Sequence, residues 1–124
     1  MDTGPILSSK SINIHSSDTS KTIHDKLSNL TAELFINTIK DYTAGKIIPM
    51  KQKKDGIKYA DKIVKDEANL DWSLPSINIF NKVRAFNPFP STYTFLSGVK
   101  IKIVETKLCK NNHQSKPGTI IECN

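Results

Sequence analysis

A chain of 124 residues is about one domain's worth, and a compact fold of that size would bury roughly two-thirds of its unfolded surface. Only 37% of the residues are hydrophobic, so the core is expected to be thin; no apolar run approaches the ~18 residues of a membrane-spanning helix, which excludes an integral membrane protein. The 18 Lys and Arg against 12 Asp and Glu leave a net charge of +6, which suits a polyanionic partner without naming one.

Met1-Asp2-Thr3-Gly4-Pro5 has neither the basic start nor the apolar stretch of a secretory signal. Two cysteines, Cys109 and Cys123, are too few for a disulfide scaffold and fit a reducing, cytoplasmic setting. From Pro5 to Ile14 the residues lean towards a strand, with Ser11, Ile12, Asn13 and Ile14 alternating in its second half. Asp18-Thr19-Ser20 then offers side-chain oxygens for a helix start, and Ile23, Leu27, Leu30, Leu34 and Ile39 follow at helical spacing. The pattern predicts a helix over residues 20 to 44 that Gly45 closes in the left-handed conformation. Lys46 to Lys58 reads as a short extended piece and a turn at Asp55-Gly56, and Lys51, Lys53 and Lys54 read as a solvated loop.

Ser73 is the expected cap of a second helix, with Pro75 in its first turn, a buried face of Ile77, Phe80, Val83 and Phe86, and a stop at Asn87-Pro88. Beyond Pro90 the period becomes two. Thr92 to Leu96, a turn at Ser97-Gly98, and Val99, Ile101 and Ile103 with Lys100 and Lys102 between them predict a hairpin with one wet face. A polar loop leads through Pro117-Gly118 to a third expected strand, Thr119 to Cys123.

Few residues are placed for chemistry. His15, His24 and His113 sit in no motif, and Cys109, His113 and Cys123 lack the fourth ligand and the spacing of a structural zinc site, so no metal is expected. The five glycines are scattered singly, which excludes a glycine-rich phosphate loop. Asp2 is the one carboxylate in a distinctive setting, in a Gly-Pro turn directly before a strand-like segment.

Four strings carry a resemblance. DTGPIL at residues 2–7, DTSKTIHDKL at 18–27, YADKIVKDEANLDWS at 59–73 and RAFNPFP at 84–90 resemble successive landmarks of the methionyl-tRNA formyltransferase family, in the same order and at similar spacing. PGTI at 117–120 also falls where that family begins a comparable strand. RAFNPFP and LDWS are specific to the family, whereas DTGPIL is shared more widely among folate-dependent formyltransferases. Phe89 stands where the family commonly has Trp, which keeps an apolar ring.

The resemblance implies a cytoplasmic enzyme that moves a formyl group from 10-formyltetrahydrofolate to the amino group of initiator methionyl-tRNA. The fold it implies is α/β: residues 1–87 as the C-terminal part of a Rossmann-like formyltransferase domain plus linker, and residues 88–124 as the first strands of an OB-like β-barrel that helps hold tRNA, both incomplete. The family's catalytic set is an Asn and a His two residues apart, followed by an Asp in the DTG turn. Only the Asp carries over, to Asp2. The Asn-x-His segment and the Ser-Leu-Leu-Pro folate-binding stretch would precede residue 1. These 124 residues alone are therefore expected to be inactive and to bind no 10-formyltetrahydrofolate. The alternatives are a small basic RNA-binding remnant that uses Lys100, Lys102 and Lys107 to face tRNA, or one half of a split enzyme whose partner is a separately encoded N-terminal half.

Overall fold

The computed structural model describes residues 3–110 and 114–122. In it the stripe Ile23, Leu27, Leu30 and Leu34 lies on α1, Ser20–Thr43, one residue shorter than the spacing predicts. Gly45, with φ of 71°, ends the helix. The Lys46 N–H bonds back to the Asp41 carbonyl at 2.9 Å and the Gly45 N–H to the Tyr42 carbonyl at 3.0 Å, the paired closure that a left-handed residue after the helix makes possible. Lys46 Nζ also reaches Asp41 Oδ1 at 3.5 Å.

The described residues fall into two compact units, one formed by residues up to Ser16 with Thr22–Lys62, the other by Ser17–Lys21 with those from Ile63 on. In the first unit the strand expected between Pro5 and Ile14 is reduced to one antiparallel bridge, Ile6 to Met50. The next hydrogen-bonded pair in that register would join Gly4 and Gln52. Instead the Gln52 side-chain amide donates to the Gly4 carbonyl at 2.7 Å, and Ser8 Oγ bonds Thr38 Oγ1 on α1 at 2.7 Å. The Gln52 side chain thus takes a carbonyl that a ladder would have used. No residue of α1 is buried, and Phe35 and Ile36 are exposed.

The second unit holds the core. A single 3₁₀ turn, Lys65–Ala68, is fastened by Glu67 Oε1, which accepts the Val64 N–H at 2.8 Å. The chain then runs beside β1, Thr92–Leu96, through a parallel bridge from Asn69 to Tyr93, and the Leu70 N–H donates to the Tyr93 carbonyl at 2.8 Å. α2, Ser76–Ala85, starts at Pro75, whose carbonyl accepts the Asn78 and Ile79 N–H groups. Ser73 is not the cap: its hydroxyl and N–H both donate to Asp71 Oδ1, at 2.6 and 2.9 Å. The buried face of α2 is Ile79 and Val83, which pack on Leu70 with Trp72 and Ile103 around them. Ile77, expected inside, is exposed because the helix presents its Ile79 and Val83 edge to Leu70.

β1 pairs with β2, Val99–Ile103, in an antiparallel hairpin whose register joins Thr92 to Ile103 and Leu96 to Val99. Ser97 and Gly98 both have positive φ, as a two-residue turn that matches strand twist requires. The third expected strand does not form among the described residues 119–122. Its Pro117-Gly118 turn packs on Trp72 instead: a Cβ on Gly118 would lie 3.2 Å from Trp72 Cγ. Ile120 and Ile121 stay exposed. The described residues therefore form a small α/β arrangement of two helices and one antiparallel pair. No helix among them is long and apolar enough to cross a membrane.

Candidate functional site

Alternation along the hairpin separates two faces. Thr92, Thr94, Ile101 and Ile103 lie on one, where Thr92 is fully buried and its hydroxyl donates to the Ile103 carbonyl at 2.7 Å. Trp72 Nε1 donates to Thr94 Oγ1 on the same face at 2.9 Å. The other face joins Tyr93 to Lys102 and Phe95 to Lys100. There Lys100 Nζ sits 3.4 Å from the centroid of the Tyr93 ring, close enough for the π face to attract the ammonium, and the Phe95 and Tyr93 rings stand perpendicular with centroids 5.7 Å apart.

A shallow hollow of about 90 Å³ opens beside this face, lined by Lys65, Phe89, Ser91, Tyr93, Lys100 and Lys102. Its wall carries three ammonium groups and no carboxylate among the described residues. Phe89 is 74% exposed. The loop that presents it is well tied. Arg84 Nη1 donates to the Asp18 carbonyl at 3.0 Å, Asn87 Nδ2 to the Val104 carbonyl at 2.8 Å, and the Ser91 N–H to the Phe86 carbonyl at 2.9 Å. Ser20 Oγ donates to the Asn87 carbonyl at 2.5 Å. Pro88 and Pro90 flank the ring and fix their own φ angles. The RAFNPFP string thus serves as a braced loop.

Of the residues singled out in the sequence, Lys100 and Lys102 are brought together, and Lys107 is not with them. Lys107 lines a separate hollow of about 270 Å³ with Trp72, Ile79, Phe80, Leu108 and Cys109. Asp2, His113 and Cys123 lie outside the described residues. Cys109, His15 and His24 are exposed, and His24 Nδ1 lies 3.5 Å from Asp25 Oδ1. Lys51, Lys53 and Lys54 are exposed in a loop of the first unit. Sequence reasoning missed Lys65, Phe89 and Tyr93. The alternation that pairs Tyr93 with Lys102 could have found Tyr93; Lys65 arrives only through the folding of a distant segment, and Phe89 through the course of the loop just before β1.

Hydrogen bonds from the Ser73 hydroxyl and backbone N–H hold the Asp71 carboxyl below its ordinary value, and Lys82 adds a smaller pull. The Lys82 ammonium also donates to the Asn69 carbonyl at 2.8 Å. These bonds fix the LDWS segment that carries Trp72.

The formyl transferase C-terminal domain family matches residues 62–124, almost the span of the second unit's main body. Among curated proteins, a methionyl-tRNA formyltransferase of Caldanaerobacter subterraneus subsp. tengcongensis is 38% identical over 122 residues, covering 98% of this chain and 40% of that protein. One from Thermodesulfovibrio yellowstonii is 39% identical over 122 residues, with 98% and 39% covered. A third, from Rickettsia canadensis, is 38% identical over 121 residues, again with 98% and 39% covered. The chain spans about two fifths of the length of the curated relatives it matches.

Proposed function

The chain belongs to the methionyl-tRNA formyltransferase family, and from that membership we propose that it serves the transfer of a formyl group from 10-formyltetrahydrofolate to the amino group of initiator methionyl-tRNA, in the cytoplasm. Similarity over 98% of the chain to proteins of that name carries the reading. The proposed division of labour keeps residues 1–87 as catalytic domain and linker and residues 88–124 as the start of a tRNA-holding barrel. Attack of the amine on the formyl carbon develops an oxyanion that positioned donors stabilise. In this reading the donors are the Asn and His of an Asn-x-His segment, and Asp2 sustains the charged His during proton transfer. That segment stands ahead of the Asp in this reading, whereas the two Asn-x-His strings among the 124 residues, Asn13-Ile14-His15 and Asn111-Asn112-His113, both follow Asp2. By themselves they are therefore proposed to bind no formyl donor and to turn nothing over.

Initiator tRNA is the proposed polyanionic partner of the second unit, with Lys100 and Lys102 supplying phosphate contacts. Lys107, at the other hollow, is the weaker member of the original set. Binding of initiator tRNA to the chain, measured against salt, tests this reading. Each phosphate-bound lysine contributes about 0.7–0.9 to the slope of log affinity on log salt. Lys100→Gln with Lys102→Gln should flatten that slope by about 1.5, whereas unchanged affinity in the double variant rejects the hairpin as the tRNA face. The same measurement bears on the reading of an RNA-binding remnant, which predicts binding but no catalysis with any N-terminal half.

A further inference from the structure

The braced loop puts an apolar ring in water beside three lysines, and phosphate contacts alone do not account for the ring. Lysines suffice to hold a phosphate backbone, and a duplex keeps its base faces inside the stack, out of reach of a side chain. An exposed aromatic ring within a basic hollow instead has the chemistry of a stacking platform, which takes the face of an unpaired base and tolerates any sequence. Phe89 meets that description by position: it is 74% exposed, shares its hollow with Lys65, Lys100 and Lys102, and stands on a loop tied at Arg84, Asn87 and Ser91. The bracing means that little conformational freedom is left for the loop to lose on binding. Tyr93 does not compete for the base, because Lys100 already covers its face at 3.4 Å and the residue is buried.

We infer that the hollow between Phe89 and the hairpin lysines holds one unstacked nucleobase of a single-stranded RNA segment, with the Phe89 ring against the base and Lys65, Lys100 and Lys102 on the flanking phosphates. The inference rests on the reading of this unit as an RNA-holding surface and adds the strandedness of the RNA. It separates the lysines, which set affinity for any RNA, from Phe89, which sets the preference for an unpaired segment.

The test uses the full chain and a short RNA carrying 2-aminopurine, once single-stranded and once annealed to its complement, at one fixed salt concentration. The single strand should bind more tightly, with the 2-aminopurine fluorescence changed by stacking. Phe89→Leu, which keeps an apolar group and removes the ring, should weaken single-strand binding roughly five- to tenfold. It should leave duplex binding and Trp72 fluorescence as they were, while Phe89→Trp should retain binding. Lys100→Gln should weaken both forms. If Phe89→Leu binds the single strand as the parent does while Lys100→Gln weakens it, the stacking claim fails and the basic surface stands. If neither RNA binds, the reading of the surface fails with it.

Discussion

At the scale of single residues, the second unit turns on Trp72. Its indole N–H is spent on Thr94 and its ring floors the Gly118 turn. Gly118 has φ of 82° and no room for a side chain on that side, so Gly118→Ala combines backbone strain with a clash and should cost about 1–3 kcal/mol in urea unfolding followed by Trp72 fluorescence. An unshifted midpoint would show that the turn does not rest on the indole. Asp71 gives a prediction in pH. Its lowered pKa means that the folded form favours the carboxylate, so the Ser73 bonds contribute above the unfolded value and are lost as pH falls through the folded one. The Ser73 amide resonance should therefore titrate with a midpoint below the ordinary 3.8 of an aspartate, and Asp71→Asn should remove that titration. Asp2 lies outside the described residues and is testable only by function. In an enzyme completed with an Asn-x-His segment, Asp2→Asn should reduce turnover at least about 10²-fold without changing assembly, because the amide keeps the shape and loses the charge. Undiminished turnover would make the DTGPIL likeness structural only.

Among the elements, those whose pattern is self-contained were legible in the sequence. The hairpin needed only alternation and the Ser97-Gly98 turn, and it formed at 92–96 and 99–103. α1 needed only its stripe and Gly45. Elements that depend on a partner were not legible. The Pro5–Ile14 strand had one bridge to make, and the strand after Gly118 had its turn drawn onto Trp72. The start of α2 was misread because Asp71 holds Ser73, a competition between local hydrogen bonds that residue type alone does not decide. The same distinction governs the candidate site: Lys100 and Lys102 follow from strand period, whereas Lys65 joins them through packing across more than thirty residues of chain and Phe89 through the course of the loop before β1. The two helices should also behave differently. α2 buries Ile79 and Val83, while α1 buries nothing, so amides of α1 should exchange with solvent much faster than those of α2 and the hairpin. Equal protection would mean that the apolar stripe of α1 is covered in solution.

For the molecule as a whole, exposed apolar side chains recur in both units, with Phe35 at 64% and Ile48 at 86% in the first and Val99 at 64% in the second. The 124 residues alone should bind a hydrophobic dye and tend to aggregate; a monomer that ignores the dye and melts in one sharp transition would contradict this. The exposed Phe35 and Ile36 of α1 and the open face of β2 stand in a chain that spans about two fifths of its relatives' length. The central claim is that this chain provides the parts proposed for a formyltransferase, which need a further Asn-x-His segment ahead of Asp2 to act. Formyl transfer from 10-formyltetrahydrofolate to initiator methionyl-tRNA should be measured with the chain alone, and with the N-terminal segment of the Caldanaerobacter relative supplied alongside it. That segment would first be shown to work with the remainder of its own protein. No turnover alone and turnover with the segment is the predicted result. Turnover by the chain alone, or none with a segment proven competent, would contradict the account.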